Sequence, residues 1–332
     1  MKRLTIFISF IFILTTLCSA TTQSLDTNVV IITYNGNSAT VEIADNIKSY
    51  VTATINGGHV TVAQSSLVDE TTCGEIEYQL YGSTTNGSFT LQGSYKATVS
   101  LYGVSIYNPS GAAIDIQNGK RIDVSSKNET ISTLRDGTNG DWKGAFQCKG
   151  HTEFKGRGCL NVYGNTKHGI WSNEYVEIKN CTINILSAVK DGLNVNQYFL
   201  MESGVLNISG FGDDGIQVTI KDAASGDAED TGNFLQTGGS ITINTFGAEG
   251  NALKYEGVKN CTGGTLTIME SATSVEQNMH AELSPAVIYS VLGTFIGRFE
   301  GESKAIAFIE NSSLPAGIYI ISSNYTQRRI IK

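Results

Sequence analysis

Short stretches of alternating apolar and polar residues recur along this chain at a nearly fixed step. The first column of copies opens each time on a small residue: Ala113-Ile114-Asp115-Ile116, Ala145-Phe146-Gln147-Cys148 and Gly169-Ile170-Trp171-Ser172. Gly192-Leu193-Asn194-Val195, Gly215-Ile216-Gln217-Val218 and Ala252-Leu253-Lys254-Tyr255 continue it. Their first positions lie 32, 24, 23, 23 and 37 residues apart. The last step contains a polar insertion from Lys221 to Gly232, and without it the spacing returns to the same period. A second column runs Leu160-Asn161-Val162, Ile183-Asn184-Ile185 and Leu206-Asn207-Ile208, then Ile241-Thr242-Ile243 and Leu266-Thr267-Ile268 after the insertion. Between the two lies a third apolar stretch, as at Tyr175–Ile178, Tyr198–Met201 and Asn233–Gln236.

Three short strands per repeat, with a period in the low twenties, predict a stack of coils. The fold class is therefore all-β: a parallel β-helix with three strands per coil of about 23 residues. No six-residue beat of a left-handed hexapeptide helix is present, so the right-handed form is expected. Strand alternation turns the apolar residues inward and Asn161, Asn184 and Asn207 outward, where they are expected to form a structural amide ladder. In such a stack each position repeats one strand spacing away, ~4.8 Å along the axis. Functional sites are then columns of side chains.

Residues from about 26 to 101 carry looser strand signals at Val29–Tyr34, Thr40–Ile43, Gly58–Val62, Glu77–Leu80, Ser88–Leu91 and Thr98–Leu101. They are expected to form an N-terminal cap and the first irregular coils, because the open end of a coil stack must be covered. After Glu270 the period is lost. Residues 272–332 predict a small, separate, strand-rich β-sandwich-like unit with apolar stretches at Val287–Leu292, Ala305–Ile309 and Ile318–Ile321. Residues 1–20 combine Lys2 and Arg3, an apolar run and Cys18-Ser19-Ala20, which reads as a signal peptide cleaved after Ala20. A lipoprotein reading through Cys18 conflicts with the bulk of Leu17 before it. Residues 21–271 are then the β-helix of an exported protein.

Composition adds two constraints. The formal net charge is −8, and loss of Lys2 and Arg3 with the signal peptide makes it −10. An acidic surface excludes nucleic acid as a natural partner and requires a cation wherever a polyanion binds. Removing Cys18 leaves five cysteines, an odd number without zinc-like spacing. Cys148, Cys159 and Cys181 fall at strand positions as small apolar fillers, with a Cys148–Cys159 bridge as the alternative.

The candidate chemistry lies just before the first column. Asp191 and Asp214 precede its small residues on neighbouring coils, so they stack about one strand spacing apart. Carboxylates that close repel unless a proton or cation lies between them. Asp191, Asp213 and Asp214, with Asn251 as an amide donor, make the hard oxygen set that Ca²⁺ prefers. The alternative is that these Asp-Gly pairs only form turns. Lys143, Lys167 and Lys190 form a possible basic ladder for the carboxylates of a uronic-acid chain, with His168 beside it. Trp171 points outward among Asp115, Gln147, Asn194 and Gln217 as a sugar-stacking platform or a lid over a turn.

The order Asn118-Gly-Lys120, Asn128-Glu-Thr130, Thr133-Leu-Arg-Asp-Gly137, Lys143-Gly-Ala-Phe146, Lys167-His-Gly-Ile170, Val189-Lys-Asp-Gly-Leu-Asn194, Gly212-Asp-Asp-Gly-Ile216 and Gly238-Gly-Ser-Ile-Thr-Ile243 resembles a bacterial carbohydrate-binding β-helix family. The resemblance spans about residues 28–268 and implies bound calcium and affinity for plant-wall polysaccharides. Lys190 stands where that family usually has an acid, which removes one expected metal donor. Asp213-Asp214 and His168-Gly169 also occur in polygalacturonases, but here their order is reversed and the flanking motifs are missing. A calcium-dependent pectate-like lyase with Lys190 as base is the enzyme alternative, and a structural adhesin is a third reading. Ile288-Tyr-Ser-Val-Leu-Gly293 followed by Leu314-Pro-Ala-Gly-Ile-Tyr-Ile320 resembles the C-terminal sorting domain of the type IX secretion system. That resemblance implies an outer-membrane secretion machinery as partner and an extracellular or outer-membrane surface location. The expected functional state is a non-catalytic, polysaccharide-binding monomer.

Overall fold

The computed structural model describes residues 25–269, 285–290, 294–322 and 327–331. The expected signal peptide at 1–20 and the expected boundary at 271/272 lie outside these residues. Residues 29–269 form a parallel β-solenoid of about eight coils. One face holds nine strands, among them Gly144–Cys148, His168–Ser172, Leu193–Asn196 and Ile216–Thr219. The second face carries Thr152–Gly156, Val176–Ile178, Tyr198–Met201 and Asn233–Gln236. The third carries Cys159–Gly164, Thr182–Ala188, Val205–Ile208 and Ser240–Asn244. The three alternating columns thus become three faces, and the insertion becomes a loop between Ile216–Thr219 and Asn233–Gln236.

Parallel pairing begins within the 26–101 stretch, with Val29–Asn35 against Ile76–Thr84 and Gly58–Gln64 against Gly87–Gln92. The cap proper is two antiparallel hairpins, Val29–Asn35 with Ser38–Ile43 and Val51–Asn56 with Gly58–Gln64. These pair the first coils and leave no parallel edge open at that end.

The interior is a dry column. Leu160, Val162, Ile183, Ile185 and Leu206 have no exposed surface, and Phe199 stacks on Phe234 at 5.2 Å between ring centres. The small residues of the first column are a packing requirement. A Cβ on Gly192 would lie 2.6 Å from Ile208 Cγ2 and 2.7 Å from the Gly215 carbonyl oxygen, inside van der Waals contact. At the third face, Asn184 Nδ2 donates to Asn161 Oδ1 and Asn207 Nδ2 donates to Asn184 Oδ1, both at 2.9 Å. The expected amide ladder is present. Cys73, Cys148, Cys159, Cys181 and Cys261 are all free, so the alternative Cys148–Cys159 bridge is not formed. Cys148 and Cys181 are buried fillers, and burial pushes the Cys148 thiol up to about 12.

The C-terminal residues form a separate four-stranded antiparallel sheet with its own small core around Ala286, Ile288, Tyr319 and Ile321. The stretch 305–309 is not extended: it lies in the helix Glu302–Asn311. Glu302, Ala305 and Ile309 are its buried positions, a spacing that follows one helical face and covers the sheet. No helix among the described residues is long and apolar enough to cross a membrane.

Candidate functional site

On the nine-stranded face the outward positions fall into one register. Asp115, Gln147, Trp171, Asn194, Gln217 and Lys254 pair successively along the axis. Parallel pairing fixes this row, because each residue's neighbours on both coils are set by the ladder. Trp171 is half-buried in the middle of it, flanked by the Gln147 and Asn194 amides. Gln147 Nε2 donates to Asp115 Oδ1 at 2.8 Å, and its Oε1 accepts the Lys143 backbone N–H at 2.8 Å. The polar side chains are therefore held in place before any ligand arrives.

The row leads into an acid cluster. Ligand oxygens of Asp191, Asp213 and Asp214 lie within 4.8 Å of one another. Asp191 and Asp214 are 1% exposed, whereas Asp213 is open to solvent. The two buried acids are stitched from coil to coil. Asp191 Oδ1 accepts the Asp214 N–H at 3.1 Å, and Asp214 Oδ1 accepts the Asn251 N–H at 2.8 Å. Asn194 Nδ2 donates to Asp191 Oδ2 at 2.7 Å, and Lys254 Nζ to Asp214 Oδ2 at 2.9 Å. His168 Nδ1 lies 3.3 Å from the Asp191 N–H and 3.2 Å from its Oδ2. Neutral, it accepts from the amide; protonated, it donates to the carboxylate.

Burial raises the Asp191 carboxyl pKa, but His168, Asn194 and the Asp214 N–H outweigh burial and hold it below its ordinary value. Asp214 in turn pushes the Lys254 ammonium up. The Gln217 amide lies against both acids. With its nitrogen inward it donates to Asp191 Oδ2 at 3.1 Å and to Asp214 Oδ2 at 3.3 Å. With its oxygen inward, that oxygen lies beside Oδ2 of both acids, a crowding that only a bound cation would offset. The chemistry of the donor set therefore fits calcium, with Lys254 occupying one donor. Asn251 departs from expectation: its amide nitrogen faces Asp214 Oδ1 at 3.4 Å, so it presents no oxygen toward the cluster. The buried carboxylate needs donors there, and Asn251 supplies two.

The basic ladder is only partly assembled. The backbones stack as expected, with the His168 N–H on the Lys143 carbonyl and the Lys190 N–H on the Lys167 carbonyl. Lys167 Nζ turns to the Asp141 carbonyl at 3.2 Å. Lys167 and Lys190 line an open groove of about 700 Å³ with Asn139, Asp141, Asn165 and Val189, and Lys143 is not among the lining residues. Sequence reasoning missed what shapes this groove. Fully buried Asp136 accepts from Trp142 Nε1 at 2.7 Å and from the Asn165 backbone, and so pins the 137–143 loop to the next coil. Burial raises its carboxyl pKa. The available signal was strand alternation, which puts Asp136 on the inward side two positions after Leu134 of strand Ile131–Asp136.

Comparison with known proteins adds three findings. A search of curated proteins finds no match. A solved structure, that of the polysaccharide lyase-like protein from C. thermocellum (gadolinium derivative), matches with a TM-score of 0.55 and 18% identity. The match covers 74% of this chain and 97% of that one, and at this identity it speaks to the solenoid fold alone. A family model described as carbohydrate-binding domain-containing protein matches residues 66–297, which takes in most of the solenoid and reaches the first strands of the C-terminal sheet. The chain thus belongs to the carbohydrate-binding domain-containing protein family.

Proposed function

We propose that the nine-stranded face binds a polysaccharide along the solenoid axis without catalytic turnover, and that calcium at Asp191, Asp213 and Asp214 assists it. The observation that carries this reading is the in-register row from Asp115 to Lys254, with Trp171 at its centre. An indole offers an apolar face to a sugar ring, and fixed amides on either side offer hydrogen bonds to hydroxyls. The family membership supports a carbohydrate ligand. A uronic-acid polymer or another plant-wall glycan suits the site, because calcium supplies the positive charge that an acidic protein lacks. When bound, calcium would be held by the three carboxylates and the Gln217 oxygen. Lys254 would release Asp214, which its exposed side chain permits. Affinity electrophoresis through polygalacturonate, xylan and cellulose derivatives, with and without EDTA, tests the reading; migration unchanged in every gel refutes it.

A second reading is a calcium-dependent lyase. The lyase-like solved structure and the position of Lys190 beside Asp191 favour it. Lys190 is exposed on the rim of the groove that Lys167 and Asp141 also line. Unsaturated product, read by ultraviolet absorbance in the same incubations, distinguishes the two. For location, we propose export by the N-terminal segment and sorting across the outer membrane by residues 272–332. Deleting 272–332 should leave a folded solenoid that is retained in the periplasm of its host.

A further inference from the structure

The third face carries a guanidinium that nothing in the proposed site uses. Arg135 pairs in register with Tyr107 on one coil and Tyr163 on the next. Its guanidinium carbon lies 5.6 Å from the Tyr107 ring centre and 5.1 Å from that of Tyr163. Two aromatic rings therefore hold one planar cation between them. Stacking occupies the faces of a guanidinium and leaves its N–H donors at the edge.

Those donors have no carboxylate. Arg121, Lys127, Lys155, Lys179, Lys221 and Lys254 each meet an acid. Arg135 forms no ion pair among the described residues, in a chain of net charge −8, and it is exposed. The adjacent acid, Asp136, is buried and already bound to Trp142 and Asn165. Two positions before Arg135 on its strand, Thr133 begins a neighbouring polar row that continues through Asn161, Asn184 and Asn207 along the axis. A fixed guanidinium edge matches a carboxylate through two parallel hydrogen bonds. The neighbouring amides and the tyrosine hydroxyls suit sugar hydroxyls.

We propose that Tyr107, Arg135 and Tyr163 form a second glycan site, on the third face, that takes the carboxylate of a uronic-acid residue. The proposal rests on the polysaccharide reading above but not on its calcium: Arg135 supplies the positive charge, so this site needs no metal. A chain with both sites can hold a long polymer at two points, which raises avidity without new contacts at either.

The test uses the full mature chain with trigalacturonate in EDTA, followed by the Arg135 Nε–H signal in proton–nitrogen NMR. The signal is assigned by its absence in Arg135→Gln. Saturable movement of this signal is expected, together with about tenfold weaker trigalacturonate binding in Arg135→Gln, the scale of one charge-assisted hydrogen-bond pair. Arg135→Lys should recover only part of the loss, because an ammonium lacks the planar fork. Both variants should stay folded, Arg135→Gln melting only a few degrees below wild type for its two lost cation–π contacts, and Trp171→Ala should leave the Arg135 signal responsive. An immobile Arg135 signal, or Arg135→Gln binding as wild type does, overturns the proposal even if polysaccharide gels still retard the protein. A response to a sulfated oligosaccharide but not to trigalacturonate also overturns it.

Discussion

Removing Asp191 should destabilise the solenoid, and comparing it with Asp213 separates structure from metal binding. Asp191 is 1% exposed and accepts from the Asp214 N–H at 3.1 Å and from Asn194 Nδ2 at 2.7 Å. In Asp191→Ala the buried Asp214 N–H loses its acceptor. Asn194 is half-buried, so water can replace part of its loss. One orphaned buried donor and one partly rehydrated donor cost about 2–3 kcal/mol together. Loss of repulsion against Asp214 offsets a little of this. At roughly 2–4 °C per kcal/mol for a chain of this size, the metal-free melting temperature should fall by about 4–12 °C. Asp213 is exposed, so Asp213→Asn should shift the metal-free midpoint by no more than about 0.5 kcal/mol. Calcium at a hundredfold excess over its dissociation constant should stabilise wild type by about 2.7 kcal/mol. Asp213→Asn should lose most of that rise despite its normal metal-free melt. The assay is scanning calorimetry of the three proteins in EDTA and in calcium. If Asp191→Ala melts with wild type, the buried network does not bear the fold. If Asp213→Asn keeps the full calcium response, the acid cluster is not the metal site.

Gly192→Ala should cost about 1–3 kcal/mol by overpacking, since the clash at 2.7 Å is with a backbone carbonyl that no rotamer change relieves; urea unfolding reads it. Asn184→Ala breaks two 2.9 Å amide bonds on a half-buried face and should cost about 1 kcal/mol, with glycan binding on the nine-stranded face unchanged. The depressed Asp191 pKa gives a pH dependence of fixed sign. Its contribution is complete above the unfolded value of ~3.9 and is lost as pH falls through the lower folded value. Melting temperature should therefore drop more steeply below about pH 4 in wild type than in Asp191→Asn.

The fold was legible because coil stacking writes the same constraint many times. Ile183, Ile185, Leu206 and Ile208 repeat one inward pattern, and Gly169, Gly192 and Gly215 repeat one close contact. The Asn161–Asn184–Asn207 ladder followed from the same register. The site was legible only as far as register carries it. Spacing brought Asp191 and Asp214 together, and it placed Trp171 between Gln147 and Asn194. It did not show that Lys254 reaches back to Asp214, or that Asn251 meets that acid through nitrogen. Those are choices of side-chain rotamer, not of period. The helix Glu302–Asn311 was hidden for a related reason: Ala305–Ile309 is a short apolar run, and strand and helix share that signature until the buried Glu302 is counted with it.

The central claim is that the row through Trp171 binds polysaccharide, and affinity electrophoresis of wild type beside Trp171→Ala tests it most directly. Trp171 is half-buried on the outer surface, so a matched melt controls for any packing lost with the indole. The account predicts that wild type is retarded in at least one of the polygalacturonate, xylan and cellulose-derivative gels, that EDTA reduces the retardation, and that Trp171→Ala loses most of it while melting normally. Equal retardation of the two proteins would move the binding site off this face, and free migration of wild type in every gel would contradict the claim outright.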